Sequence, residues 1–206
     1  LFYMGKNLEY VSIPSTVKHI QSYSFAKCRS LISVKMPEGV LSIGDFAFKG
    51  CKKLREVFLP GSLSTFGKGI FSNCPSLSSI DLSEDNAIFK IVEGILYDKK
   101  GRLLTAFPSL TKGDIAVLDG TETIEESAFR NCKEVTSLII PSTVSTLGSV
   151  SFSGCGNMLS ITLSPNIKTI ETCLFEKCLS LTRIDIPNGV LCIDAWSFCE
   201  CTRLAV

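Results

Sequence analysis

Ten cysteines are the most reactive feature of this 206-residue sequence, and seven of them keep one interval. Cys28, Cys51 and Cys74, then Cys132, Cys155, Cys178 and Cys201, each follow a phenylalanine by three residues. Thiols so placed invite metal ligation or disulfide bonding. Metal binding lacks its ligand pattern, because no C-x-x-C pair occurs and the sole histidine, His19, is remote in sequence from the C-terminal cysteines. Disulfides are sterically open if the seven stack about 5 Å apart, the spacing of adjacent strands, which lies within Cα–Cα reach of a bridge. A regular ladder gives each cysteine two equivalent neighbours, whereas a disulfide framework selects pairs. The sequence therefore predicts reduced, buried thiols filling a narrow space beneath each phenylalanine. Cys173, Cys192 and Cys199 lie off the ladder, and a bond among them stays open on sequence alone.

Two other patterns touch on catalysis. Gly61-Ser-Leu-Ser-Thr-Phe-Gly67-Lys68 is a poor phosphate loop: five residues separate its glycines where four are needed, and Gly69 follows the lysine where Ser or Thr belongs. Gly67 also shares a register with Gly44 and Gly148, which assigns it to a repeat turn. His19 shares its register with Ser42, Thr65 and Thr146, expected on the solvent side of a short strand. No motif ties a serine or cysteine nucleophile to it. Carboxylates are scattered, with no convergent pair. The residues predict no enzyme, no cofactor and no metal.

The elements that position these residues are repeats of 23. Phe25, Phe48 and Phe71 are 23 apart, as are Phe129, Phe152, Phe175 and Phe198. Leu31, Leu54, Leu77, Val135, Met158, Leu181 and Leu204 stand three residues beyond the cysteines. Val34, Val57, Ile80, Leu138, Ile161 and Ile184 come next, each followed two residues later by another apolar residue and often by proline. The unit reads F-x-x-C-x-x-L-x-x-V/I-x-I-P-x-x-V-x-x-I. Alternation at Val34-x-Met36 is the period of a strand with one buried face, and the following proline ends it. A second short extended segment, Val40 to Ile43, carries the chain along another side. Ser22, Asp45, Ser149 or Thr172 then caps a single helical or 3₁₀ turn bearing Phe and Cys. No such unit buries its apolar face alone, so neighbours share one core.

The fold expected is a repeat solenoid: a leucine-rich-repeat-like, right-handed β-rich coil with parallel strands and short helical or 3₁₀ turns. It occupies residues 1–206 as a single domain. Both ends fall inside a repeat without a polar cap, which predicts a segment of a longer protein. Residues at about 84–117 form a variant repeat, since Phe71 to Phe129 spans 58 residues, two periods plus 12. There the β-rich runs Phe89 to Tyr97 and Leu103 to Pro108 flank Asp98-Lys-Lys-Gly101, predicting a hairpin at the stack edge with its tip exposed.

Composition excludes other classes. Twenty-one Lys and Arg nearly balance 20 Asp and Glu with no basic tract, so the footprint of a nucleic-acid binder is missing. Val135 to Ile167 lacks charge, but Pro141, Gly148, Gly154, Gly156 and Pro165 break it below the ~20 apolar residues of a membrane helix. No membrane insertion is expected within the segment. There remains the outward face of the main sheet, mostly small and polar. Phe58 and Ile139 are its large apolar exceptions. Stacking should set Lys35, Phe58 and Asp81 side by side, with Ile139 on the same face in a repeat after the insert. An aromatic beside charged groups is a frequent binding anchor.

The F-x-x-C-x-x-L-x-x-V/I-x-I-P unit resembles the BspA-type leucine-rich repeat over nearly the whole chain. The insert, with its Gly94-Ile-Leu-Tyr97 and later Pro108, is similar to a variant repeat of that family. Gly5 at the first cysteine position, and Ser83 and Ser164 at proline positions, depart from the pattern. The resemblance implies an extracellular or surface-anchored adhesion scaffold whose partner is protein or glycan on host matrix, host cells or other microbes. The alternative is a stalk that holds another domain away from the cell surface.

Overall fold

The computed structural model describes residues 4–106 and 111–205. Phe2, Phe107, Pro108 and Val206, to which the repeat or the insert assigns places, lie outside the described residues. The chain divides into two compact units, Leu1–Val92 and Glu93–Val206. Each is a coil of parallel strands with the 23-residue period.

In the first unit, strands Tyr10–Ser12, Ser33–Lys35, Glu56–Leu59 and Ser79–Leu82 form one parallel sheet. A second sheet is built from His19–Ile20, Ser42–Ile43 and Thr65–Phe66. Pairing is in strict repeat register: Val11 faces Val34, Val34 faces Val57, and Val57 faces Ile80. In the second unit the corresponding main sheet runs Gly113–Ala116, Val135–Ile139 and Ser160–Thr162. The expected strand around Ile184 and Ile186 does not form; there Arg183 turns onto Asp185 of its own segment, at 2.9 Å.

The Phe–Cys segment also differs from expectation, because it contains no helix or 3₁₀ turn among the described residues. Its hydrogen bonds give the reason. Ser24, Ala26 and Cys28 donate back to carbonyls three residues earlier, while Tyr23, Phe25 and Lys27 donate sideways to Asp45, Ala47 and Lys49 of the next repeat. The same alternation recurs at Phe46 to Cys51, Ser127 to Cys132, Val150 to Cys155 and Cys173 to Cys178. A helix would use every N–H internally. Here half of them bind adjacent repeats together. The geometry requires two left-handed residues per turn, such as Tyr23 and Lys27 (φ 59° and 62°). Each such non-glycine residue costs of order 1 kcal/mol, offset by satisfying a main-chain pair between repeats.

The phenylalanines point inward as a stack. Phe25–Phe48 centroids are 5.0 Å apart and nearly parallel, and Phe48–Phe71 are 5.7 Å apart. In the second unit Phe129, Phe152, Phe175 and Phe198 follow at 5.6, 5.5 and 5.4 Å. Gly44, Gly67 and Gly148 are not needed for a left-handed turn. They allow close backbone approach, as a Cβ on Gly67 would sit 2.6 Å from the Asp45 nitrogen.

The insert does contain an antiparallel pair, Ile95–Asp98 with Arg102–Ala106. Its return strand continues in parallel to Thr123–Ile124 and on to Thr146–Leu147, so the hairpin is built into a sheet of the second unit. Lys99 and Lys100 are exposed at the turn, but Asp98 is buried, contrary to the sequence reading. Its carboxylate accepts the main-chain N–H groups of Lys100 and Arg102 at 2.9 Å and the Arg102 Nε at 2.6 Å. Three donors to one acidic side chain draw it inward and close the turn.

Candidate binding interface

The main sheet of the first unit brings Lys35, Phe58 and Asp81 together as the spacing requires. Lys35 pairs with Phe58, and Phe58 with Asp81, across adjacent strands. The Lys35 ammonium lies 5.6 Å from the Phe58 ring centroid, a cation–π contact. Lys35 and Asp81 are exposed and Phe58 is half-buried, so a ring flanked by opposite charges faces water. Ile139 is in the second unit, where it is 55% exposed between Ala116 and Thr162. Near it Asp114 accepts hydroxyl bonds from Ser137 at 2.7 Å and Thr136 at 2.8 Å, which hold its carboxyl below the ordinary range.

The cysteines are all free. Cys28, Cys51, Cys74, Cys132, Cys155 and Cys178 are buried and Cys201 is half-buried. Sequence reasoning treated them as apolar filler and missed their role as donors. Five of these thiols donate to the carbonyl of the phenylalanine 26 residues earlier: Cys51 to Phe25, Cys74 to Phe48, Cys155 to Phe129, Cys178 to Phe152 and Cys201 to Phe175, at 3.0–3.3 Å. Each of these carbonyls also accepts the main-chain N–H three residues later, so the thiol adds a second bond, from the next repeat, to a buried acceptor. The offset of 26, one period plus the three residues from Phe to Cys, was the available signal. Burial raises the Cys132 and Cys178 thiols well beyond the ordinary range, and the side-chain hydrogen bond with Cys74, then burial, does the same for Cys51.

These thiols should react in two classes. A disulfide reagent at neutral pH is expected to label exposed Cys192 and Cys199 rapidly, while the six buried thiols wait for denaturant. The sign of the pH effect comes from the raised values. Folding favours the neutral thiol, so stability is intact below about pH 8.5, where unfolded cysteines begin to ionise, and drains as pH rises above it. Fast labelling of more than the four cysteines outside the buried class in native protein would contradict the ladder.

His19 is exposed on its short strand beside Ser42, as its register predicts. Its Nδ1 is 2.8 Å from Ser42 Oγ, one strand away. The pair lies open to solvent, and no carboxylate bonds the other ring nitrogen among the described residues. Without an orienting acid or an enclosed oxyanion site, a serine–histidine contact is a surface hydrogen bond. Among the described residues no group of three or more His, Cys, Asp or Glu is placed to hold a metal, and no helix is long and apolar enough to cross a membrane.

Known structures share this geometry. A leucine-rich cell surface protein from Faecalibacterium prausnitzii is 28% identical, with a TM-score of 0.92 over 98% of this chain and 54% of its own. The pneumococcal vaccine antigen PcpA, 21% identical, gives a TM-score of 0.74 over 86% of this chain and 50% of its own. A leucine-rich repeat protein from Eubacterium ventriosum, 19% identical, gives 0.75 over 93% and 63%. The chain thus spans between half and two thirds of the length of these proteins, and the last two likenesses speak for the fold alone. No curated protein matches it. The family model for the BspA type leucine rich repeat region matches in six copies, over residues 1–100 and 122–206. It leaves out only a short stretch that holds the return strand of the insert and the strand Gly113–Ala116. With the 23-residue register, the parallel coil and this match in agreement, the chain belongs to the BspA-type leucine-rich repeat family.

Proposed function

We propose that this chain is a non-catalytic binding scaffold of the cell surface, which engages a protein or glycan partner through the outward face of its main sheet. The observation that carries the reading is the Lys35–Phe58–Asp81 row. Of its neighbours on the same face, Ser12, Ser33 and Ser79 are small and Glu56 is exposed, and the ring remains half-exposed among them. An aromatic side chain that is fully desolvated by a partner typically contributes ~2 kcal/mol or more. The leucine-rich cell surface protein of F. prausnitzii, similar over nearly the whole chain, supports the location. Ile139 gives the main sheet of the second unit an exposed apolar point of its own.

The test is Phe58→Ala against a panel of immobilised extracellular-matrix proteins and glycans. Binding should fall roughly tenfold or more, as ~1.4 kcal/mol per decade requires. Stability should change by less than about 1 kcal/mol, since the ring is half-exposed and its cation contact is worth ~0.5–1 kcal/mol. Equal binding by both proteins would leave the face without a role and favour a stalk that presents another domain.

A further inference from the structure

The near-neutral balance of the whole sequence conceals a division. Residues 1–92 hold eleven Lys and Arg against seven Asp and Glu, whereas residues 93–206 hold ten against thirteen. Within the first unit the cations also gather on one edge. Lys6, Arg29 and Lys52 occupy one repeat position, 23 residues apart, at the turn that follows each ladder cysteine or its Gly5 equivalent. Lys53 and Arg55 extend the row toward the sheet. Main-chain bonds set these segments side by side, with Lys53 N–H on the Arg29 carbonyl and Arg55 N–H on that of Ile32. All five side chains are exposed, and none has an ion pair among the described residues. By contrast, Arg102, Lys177 and Arg183 of the second unit are each paired with a carboxylate. The next repeat supplies Pro75, Ser76 and Ser78 at the same positions, so the stripe has a defined end.

We propose that this turn edge of the first unit binds a linear sulfated glycan, with Lys6, Arg29, Lys52, Lys53 and Arg55 contacting successive anionic groups. The inference goes beyond the sheet-face reading and uses a separate surface. Rows of cations one strand spacing apart, about 5 Å, match anions carried on consecutive sugar rings. An extended acidic peptide carries its side chains at ~3.3 Å per residue on alternating sides and fits the rows poorly. The adjoining Phe–Cys segments present Tyr23 and Phe46, stacked at 5.4 Å, with the Lys49 ammonium 4.8 Å over the Phe46 ring. Phe46 is engaged by Tyr23 and by the Lys49 ammonium, which leaves exposed Tyr23 as a lone platform where single-strand binders stack successive bases. The rims of both rings remain available to the C–H groups of a pyranose. Arginine adds bidentate recognition of sulfate oxygens.

The probe is a heparin-derived octasaccharide, titrated into the folded chain at about 0.15 M salt and again near 1 M, where screening is nearly complete. Binding should be seen at the lower salt and lost at the higher. The triple variant Arg29→Ser, Lys52→Ser, Lys53→Ser should bind at least tenfold more weakly. A charge-matched triple in the second unit, Lys99→Ser, Lys100→Ser, Lys112→Ser, should stay within twofold of the natural chain, as should Phe58→Ala. No octasaccharide binding at the lower salt, or an equal loss in the charge-matched triple, would overturn the proposal. So would a tenfold loss in Phe58→Ala, which would move the site to the sheet. Equal or tighter binding of oligothymidylate or oligoglutamate of the same charge would reassign the stripe to another class of polyanion.

Discussion

Replacing Phe48 with alanine is expected to cost roughly 3–5 kcal/mol of stability. At ~2–4 °C per kcal/mol for a chain of this length, the melting temperature should fall by about ten degrees. Phe48 has no exposed surface and lies between Phe25 and Phe71 at 5.0 and 5.7 Å. Stacked pairs of this kind contribute ~0.5–1.5 kcal/mol beyond their area, and the truncation removes two. Nor can the gap readily close. The Phe48 N–H is bound to Ile70, its carbonyl receives the Cys74 thiol, and the neighbouring turns are bonded repeat to repeat. Because each repeat is supported only by its neighbours, damage in the middle of a stack weakens both sides. Thermal melts and denaturant titrations of Phe48→Ala beside Phe58→Ala decide the matter. Similar losses in both would mean that the phenylalanine stack is not the core of the first unit.

That contrast between two phenylalanines ten residues apart was legible in the sequence, because the 23-residue register alone places Phe48 inside and Phe58 outside. The same register dictates the parallel pairing of Lys35, Phe58 and Asp81, since a fixed period allows each position one neighbour on either side. The period does not carry where main-chain polar groups go. A segment bearing a capping residue and an inward Phe reads as a helical turn. The sideways hydrogen bonds that exclude a helix depend on the adjacent repeat and become visible only when the two are stacked. The thiol-to-carbonyl bonds belong to the same class, as does buried Asp98, whose charge argues for exposure until its three donors are seen. Charge was hidden for a related reason. Lys6, Arg29 and Lys52 are never consecutive, so a search for basic tracts passes over a stripe that the coil assembles.

Asn86 turns this limit into an expected result of similar size. It occupies the register of Val40 and Leu63, and a reading from the repeat alone would predict that Asn86→Leu restores the pattern and stabilises the chain. The structure predicts the reverse. Asn86 is buried, and its Nδ2 donates to the carbonyls of Pro60 and Leu63 at 3.0 and 2.9 Å. Its Oδ1 accepts the N–H groups of Ile88 and Phe89 at 2.9 and 2.8 Å. One side chain thus satisfies four main-chain groups where the regular repeat gives way to the insert. The Pro60 carbonyl keeps the Leu63 N–H, but leucine would take the Asn86 bond from the Leu63 carbonyl and from the Ile88 and Phe89 N–H groups, at ~1–3 kcal/mol for each that water cannot reach, so a loss of at least ~3 kcal/mol is expected. Asn86→Asp keeps the acceptor but turns a carboxylate toward two carbonyls, and should cost as much or more at neutral pH. The loss has a local signature, because the amides of Ile88 and Phe89 should exchange hydrogen faster in both variants while those of Val34 and Val57 keep their protection. An Asn86→Leu protein as stable as the natural one, with unchanged exchange at Ile88 and Phe89, would show that the asparagine merely occupies its place in the repeat.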